Sequence, residues 1–133
     1  MKTGYIFDSN ILIPYLLRNF ELRKLRDYLL KGVYLNELVL TETLNYIQNR
    51  YPSSYSILCQ QQVEDNQNIF QILEISPEIR SRGWQIRQKY ADNKLAYTDA
   101  IILAQAQFYS LTILTQDQAM LSSGIANGFN PLI

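Results

Sequence analysis

Four of the twelve acidic residues stand beside apolar segments, where a side chain kept only for solubility is not expected. Asp8 follows YIF, Glu42 follows LVLT and Asp117 follows LTILTQ. These three lie just beyond the carboxyl ends of predicted strands, which is the edge where parallel sheets bind their ligands. The fourth acid, Asp99, precedes AIILA and begins a predicted buried helix.

A group of carboxylates needs a countercharge, because like charges repel when they are brought together. The chain has no histidine, which excludes Ser-His-Asp and Cys-His catalysis and a zinc site built from histidine and cysteine. Its five glycines form neither a Rossmann nor a Walker phosphate loop. Carboxylate oxygens suit Mg²⁺ or Mn²⁺, and such ions promote phosphodiester cleavage by activating a water. The acids therefore predict a metal-dependent hydrolase acting on phosphate.

Helix capping is the alternative explanation for each acid taken singly. Asp8 could cap the helix that starts at the next residue, and Asp117 could cap a short helix after the last buried strand. Glu42 and Asp99 could be first-turn acids that the helix dipole favours. Capping accounts less well for four acids that all lie at junctions between strands and helices on one edge.

Length and composition limit the class of protein. The 133 residues predict one domain, and 12 basic and 12 acidic residues give a net charge of zero. No apolar stretch approaches the roughly 18 residues that a membrane span needs, and an acid at the eighth position argues against a secretory leader. The single cysteine, Cys59, cannot form an internal disulfide, which suits a reducing compartment. We therefore expect a cytoplasmic protein without membrane association.

Hydrophobic periodicity predicts strands and helices that alternate along the chain. The predicted strands span residues 2–7, 34–40, 69–75, 111–114 and 129–133. The predicted helices span residues 9–17, 21–30, 41–50, 53–63, 77–90 and 98–108, with polar turns at 64–68 and 91–94. This alternation predicts an α/β fold with a short parallel central sheet flanked by helices.

Four segments of the sequence resemble the PIN-domain family, and especially its small single-domain members, the VapC-type toxins. YIFDSNILIPYLL is similar to the first motif of the family, in which an aspartate ends the first strand. LVLTETLNYI resembles the second, where a glutamate opens a helix, and YTDAIILAQA resembles the third, where an aspartate heads the central helix. ILTQDQAM resembles the fourth, a threonine followed two positions later by an aspartate. The order is that of the family, and the segments span nearly the whole chain.

This resemblance implies a single PIN-like nuclease domain over residues 1–133. Asp8, Glu42, Asp99 and Asp117 would be the catalytic, metal-binding acids of an endoribonuclease that uses Mg²⁺ or Mn²⁺. The chain would be the toxin of a VapBC-type toxin–antitoxin pair, with RNA as substrate, a small antitoxin protein as partner and a homodimer as its assembly.

The resemblance also assigns roles to two polar residues. Asn10 and Thr115 would hold the carboxylates in place, as outer residues of metal sites commonly do. Hydrogen bonding at a helix start and in a turn is the alternative role for both. The fourth segment departs from the family, because QAM follows Asp117 where a further acid often stands.

An RNA substrate calls for exposed cations and some aromatic side chains near the acids. Cations occur in the early helices and around the predicted helix at 77–90, at Arg18, Arg23, Lys24, Arg26, Arg80, Arg82, Arg87, Lys89 and Lys94. For any one of these cations, an ordinary solvated helix face is the more common explanation, and only a local cationic rim around the acids would favour RNA. The ten tyrosines and Trp84 are typical of cores and interfaces more than of base-stacking surfaces.

Three other functions remain to be weighed. A haloacid-dehalogenase-like phosphatase needs a second acid two positions after Asp8, and that position holds Asn10. A response-regulator receiver expects paired acids early in the chain and a lysine after a late strand, and the sequence shows neither. The remaining alternative is a PIN-fold module that binds RNA or protein with weak or no nuclease activity. The affinity of the acidic cluster for metal separates that module from the enzyme.

Overall fold

The computed structural model describes residues 4–18, 23–90 and 95–133, and its centre is a five-stranded parallel sheet. In chain order the strands are β1 (Tyr5–Phe7), β2 (Val33–Asn36), β3 (Phe70–Leu73), β4 (Thr112–Leu114) and β5 (Gly128–Phe129). Their order in the sheet is β3-β2-β1-β4-β5. The first strand therefore lies in the middle, with Ile6 paired to Tyr34 on one side and to Ile113 on the other.

Helices connect the parallel strands, as a parallel sheet requires. They are α1 (Ser9–Leu17), α2 (Arg23–Leu30), α3 (Glu37–Arg50), α4 (Ser53–Asp65), α5 (Pro77–Lys89), α6 (Tyr97–Tyr109) and α7 (Gln118–Ser122). The result is a single α/β domain with a short parallel sheet flanked by helices, as predicted.

Helix α6 is the most deeply buried of the described helices, and every residue from Ala100 to Ala106 is shielded from solvent. The sequence predicts this from apolar residues on nearly all sides of the helix. Helix α5 packs directly on α6, and the contact is close at Gly83, where an added Cβ would lie 2.7 Å from Cδ1 of Ile101. Asp99 lies in the first turn of α6, at the edge of the sheet where the strands end.

The strand predicted at 34–40 is wrong in its second half. The strand ends at Asn36, whose side chain accepts a hydrogen bond from the backbone N–H of Val39 at 2.7 Å and so caps α3. Glu37 in the first turn favours the same helix start through the helix dipole. The apolar run LVL is therefore helical, and Glu42 lies in the second turn of α3 instead of at a helix start directly after a strand.

Helix α1 has its predicted bounds, and the other predicted elements exist with shifted ends. The third and fifth strands are shorter than predicted, and α4 extends to Asp65, into the predicted polar turn. The predicted turn at 91–94 and parts of two predicted elements, residues 2–3 and 21–22, lie outside the described residues. None of the helices in the described ranges has the length and apolar character needed to cross a membrane.

Candidate active site

Asp8 is the most enclosed of the four acids, with 4% of its surface exposed. It follows β1 and is the N-cap of α1, where its Oδ1 accepts a hydrogen bond from the N–H of Ser9 at 2.8 Å. Its other oxygen, Oδ2, accepts a hydrogen bond from the hydroxyl of Thr115 at 2.7 Å. Both oxygens of the carboxylate are therefore fixed by donors from two separate segments.

Thr115 joins β4 to this carboxylate and to its neighbours. The Thr115 side chain is fully buried, and its Oγ1 accepts a hydrogen bond from the N–H of Asp117 at 3.0 Å. The side-chain amide of Asn10 donates to the same oxygen at 3.2 Å, and Oδ1 of Asn10 accepts from the N–H of Gln116 at 2.9 Å. The structure thus places Asn10 and Thr115 in direct contact with each other, where they join the two segments that carry Asp8 and Asp117.

Pro14 leaves one backbone carbonyl of α1 without its helical donor. Proline has no N–H, so the carbonyl of Asn10, four residues earlier in α1, receives no helical hydrogen bond from it. The side-chain amide of Gln116 donates to that carbonyl instead, at 2.6 Å. The sequence reasoning did not identify Gln116. No residue pattern points to it, because its role depends on a backbone hydrogen bond that is missing from α1.

Glu42 reaches the cluster from α3. Its side chain is exposed, and its Oε1 accepts a hydrogen bond from the hydroxyl of Ser9 at 3.2 Å. Ser9 was also not identified as a site residue, although it directly follows Asp8 in the segment that resembles the first family motif.

Asp99 lies in the first turn of α6 and accepts a hydrogen bond from the N–H of Ala96 at 3.1 Å. Burial and the nearby charge of Asp8 raise the pKa of Asp99 to about 6, with smaller contributions from Asp117 and Glu42, while the hydrogen bond from Ala96 acts in the opposite direction. The structure therefore brings the four acids close enough for their charges to interact.

Asp8 shows the same effect. Burial raises the pKa of Asp8 above its usual value, and the charges of Glu42 and Asp117 act in the same direction. The hydrogen bonds from Thr115 and Ser9 lower the pKa in part. A carboxylate whose environment disfavours its negative charge gains from a nearby cation.

Helix capping is confirmed as one role of three acids. Asp8 caps α1, Asp117 caps α7 through a hydrogen bond from the N–H of Ala119 at 2.8 Å, and Asp99 accepts from the N–H of Ala96. Capping does not use up these groups, because each carboxylate has about four acceptor positions. The same acids can hold a helix end and face a cation.

The four acids offer the kind of ligand that Mg²⁺ or Mn²⁺ prefers, but they are widely spaced. All four side chains offer oxygen, which these ions prefer. Among the residues that the structure describes, no three such side chains converge closely enough to chelate one ion. Mg²⁺ commonly uses one or two carboxylates and keeps several of its waters, so a loose cluster is compatible with it.

The acids do not line the groove of about 550 Å³ between α3, α4 and β3, whose walls include Leu40, Val63 and Phe70. That groove is lined by apolar and polar side chains in equal number, while the four acids lie on the open edge of the sheet. A polymeric phosphate needs an open surface more than an enclosed cavity, and the charged cluster is therefore the better candidate for an active site.

Known proteins share this fold over nearly their whole length. A toxin–antitoxin complex from Klebsiella pneumoniae contains a chain 27% identical to this one, with a TM-score of 0.69 and coverage of 96% of this chain and 98% of that chain. The FitAcB structure from Neisseria gonorrhoeae is 24% identical, with a TM-score of 0.74 and coverage of 96% and 97%. VapC20 from Mycobacterium tuberculosis, described as a toxin that cleaves the sarcin–ricin loop, is 10% identical, with a TM-score of 0.74 and coverage of 91% and 95%.

Among curated protein sequences, none matches this chain significantly. A family model gives a direct match, since the model of the PIN domain aligns with residues 5–123, which include all four acids. The chain therefore belongs to the PIN domain family.

Proposed function

We propose that this chain is a metal-dependent endoribonuclease, the toxin of a VapBC-type toxin–antitoxin pair, and that residues 1–133 act as one nuclease domain in the cytoplasm. The observation that carries the proposal is the meeting of four carboxylates from four different segments, in which burial and the charges of Asp8, Asp117 and Glu42 together raise the pKa of Asp99 to about 6. Such mutual repulsion lowers the stability of a protein, and a site that binds a cation would explain why the acids are kept together.

The residues of the chain have distinct roles in this proposal. Asp8, Glu42, Asp99 and Asp117 would hold Mg²⁺ or Mn²⁺, which supplies positive charge that neutralises the carboxylates and polarises the phosphodiester. Asp8 is held in place by donors on both of its oxygens, so it binds with little loss of side-chain freedom. Glu42 is more exposed and tied only through the hydroxyl of Ser9, and it can therefore adjust to the substrate.

Similarity to other proteins adds support. VapC20 is described as a toxin that cleaves the sarcin–ricin loop, and the 27% identical chain comes from a toxin–antitoxin complex. An RNA phosphodiester agrees with the open position of the acids at the sheet edge.

One alternative has an observation in its favour. A PIN-fold module that binds RNA or protein with weak or no nuclease activity agrees with the wide spacing of the acids, no three of which chelate one ion among the described residues. The affinity of the cluster for metal decides between the module and the enzyme.

The test combines metal binding with RNA cleavage. Isothermal titration with Mn²⁺ and Mg²⁺ should show binding by the wild-type chain, and a pool of structured RNAs should be cut with Mn²⁺ and left intact with EDTA. Asp99→Asn should reduce cleavage by about 100-fold or more. Asp99→Asn is preferred to Asp8→Asn. An asparagine at position 99 keeps one oxygen that can accept the hydrogen bond from Ala96, whereas both oxygens of Asp8 accept hydrogen bonds.

Glu42→Gln and Glu37→Gln form a matched pair on one helix. Glu37 is also exposed on α3 but lines the groove between α3, α4 and β3, so its variant should cut RNA like the wild type, while Glu42→Gln should be impaired. Folded wild-type protein that binds neither ion and cuts no RNA would favour the binding module. Equal activity of Asp99→Asn and wild type would leave capping as the only role of that acid.

We also propose a small antitoxin as partner and a homodimer as assembly. Exposed apolar side chains on α4, Tyr55, Ile57 and Leu58, support a protein-binding surface, because monomers seldom group such residues. Sedimentation of the purified chain should give twice the mass of one copy. Co-expression with the product of any small gene that neighbours the gene for this chain should yield a complex that no longer cuts RNA, and separate elution of the two proteins would contradict the pairing.

A further inference from the structure

Helix α5 carries a cationic and aromatic surface that the acidic cluster does not use. The helix has four cations and one acid in 13 residues, although the chain as a whole has no net charge. Trp84, the only tryptophan, is 56% exposed on this helix. A tryptophan with more than half of its surface in water is a strong sign of a contact surface, since most tryptophans bury their rings.

The ring of Trp84 is held in place by Tyr97 of α6. It makes an edge contact with Tyr97, with ring centroids 5.9 Å apart, and the hydroxyl of Tyr97 donates to the backbone carbonyl of Arg80 at 3.4 Å. The close approach of Gly83 to Ile101 seats this part of α5 on α6. The indole is therefore supported at its edge by rigid elements while much of its surface faces solvent.

The surface and the acidic cluster both involve the first turn of α6. Tyr97 and Asp99 are the first and third residues of α6, so the aromatic pair and the candidate active site share one helical turn. Side chains two positions apart on a helix point to different sides. Trp84, which contacts Tyr97, therefore lies outside the cluster itself, and a base bound there would belong to a different nucleotide from the one that is cut.

Arginines lie on both sides of the indole. Arg80 is four residues before Trp84 and Arg87 is three residues after it, and both spacings place side chains on one helix face. Arg82 lies on another face and donates to the side chain of Gln107 at 3.0 Å. A flat ring between two cations suits a nucleic-acid strand, whose bases stack while its phosphates take the charge.

We propose that Trp84 is a stacking platform for an unpaired RNA base, with Arg80 and Arg87 contacting the flanking phosphates. The proposal rests on the proposed function, because it names how the RNA substrate is held beside the acids. A second copy of the chain fits this surface less well, since two copies of α5 would bring like charges together and interface centres are depleted of charged residues.

The unique tryptophan allows a direct test on the unmodified protein. A single-stranded RNA of about ten nucleotides is titrated into the chain in EDTA at low salt, so that binding is measured without cleavage. Stacking should quench the emission of Trp84. Anisotropy of labelled RNA should show Kd raised about five- to thirty-fold by Trp84→Ala and restored close to the wild-type value by Trp84→Phe, which keeps an aromatic face.

Matched variants separate stacking from general effects. Phe108 is an equally exposed aromatic at the other end of α6, and Phe108→Ala should leave RNA binding unchanged. Arg80→Gln should weaken binding and reduce the slope of log Kd against log salt by about 0.7, whereas Arg82→Gln should change the slope less, because that side chain is engaged with Gln107.

Two results would overturn the platform. In the first, RNA binds without quenching and Trp84→Ala binds like the wild type. In the second, Trp84→Ala changes the sedimented mass and leaves RNA affinity unchanged, which would assign the surface to a second copy. Because the assay contains no metal, either result leaves the cleavage test with Asp99→Asn unaffected, and loss of cleavage there leaves the binding result standing.

Discussion

The hydroxyl of Thr115 has one hydrogen, and its position decides how the candidate site is organised. The shortest contact of this hydroxyl is to Oδ2 of Asp8 at 2.7 Å, so the hydrogen goes to that carboxylate. The oxygen is then free to accept from the N–H of Asp117 and from the amide of Asn10. One uncharged residue thus orders the surroundings of two acids.

The raised pKa of Asp99 predicts how stability depends on pH without metal. The pKa of Asp99 is about 6 in the folded chain, above the ordinary aspartate value of 3.8, so this carboxyl binds protons more readily when the chain is folded. This contribution to stability is complete below pH 4 and is lost as the pH rises through 6. In EDTA, thermal unfolding should therefore show a Tm that falls between pH 4 and pH 6, with the raised pKa of Asp8 adding to the trend.

Asp99→Asn should remove part of this fall. At pH 7 the variant should be more stable than the wild type by on the order of 1 kcal/mol, a value reduced because Asp99 is only half-buried. The difference should vanish near pH 4. Asp27→Asn, an exposed site on α2, provides the control and should follow the wild-type curve. Parallel curves for Asp99→Asn and wild type would contradict the raised pKa of Asp99.

Sequence reasoning identified the acids better than their supports. Asp8, Asp99 and Asp117 stand out because each adjoins a strongly apolar segment, and Asn10 and Thr115 follow from the resemblance. Ser9 and Gln116 were missed, because a serine and a glutamine at the surface are common and only the fold brings them to Glu42 and to the Asn10 carbonyl.

The start of α3 shows where the prediction of secondary-structure elements from the sequence fails. The segment YLNELVL has the alternation and branched residues of a strand, and short apolar runs are ambiguous by periodicity. The signal that decides is Asn36 followed by Glu37, a cap and a first-turn acid. The consequence for the site is that Glu42 arrives from inside a helix, one turn later than predicted.

The contact between α5 and α6 predicts the effect of adding one methyl group. Gly83→Ala would place a Cβ 2.7 Å from Cδ1 and 3.3 Å from Cγ1 of Ile101. Crowding of this kind costs about 1–3 kcal/mol, partly offset by the higher helix propensity of alanine. We expect urea unfolding to show a net loss of about 1 kcal/mol.

Ile101→Val, which removes Cδ1, supplies the matched partner. The double variant Gly83→Ala with Ile101→Val should be more stable than the sum of the two single changes predicts. Strict additivity would mean that the helices separate freely at this contact, and the support for Trp84 would then be weaker than proposed.

At the level of the whole molecule, a net charge of zero conceals a division of charge. Four acids gather at one edge of the sheet, while α5 beside them carries an excess of cations. Composition alone argues against a nucleic-acid ligand, because it reports the sum and not the distribution. The order of strands and helices, by contrast, follows from the alternating pattern, and so the fold class could be predicted although several element ends could not.

The central place of β1 in the sheet has a consequence for the chain during its synthesis. Asp8 is made first, yet the hydroxyl that orients it belongs to Thr115, 107 positions later. Strand β4, which completes one side of β1, also comes late, and such distant contacts form only when the intervening chain is present. The four acids therefore remain apart until nearly all of the chain has left the ribosome. If the chain is the ribonuclease proposed above, an unfinished chain would therefore lack an assembled active site.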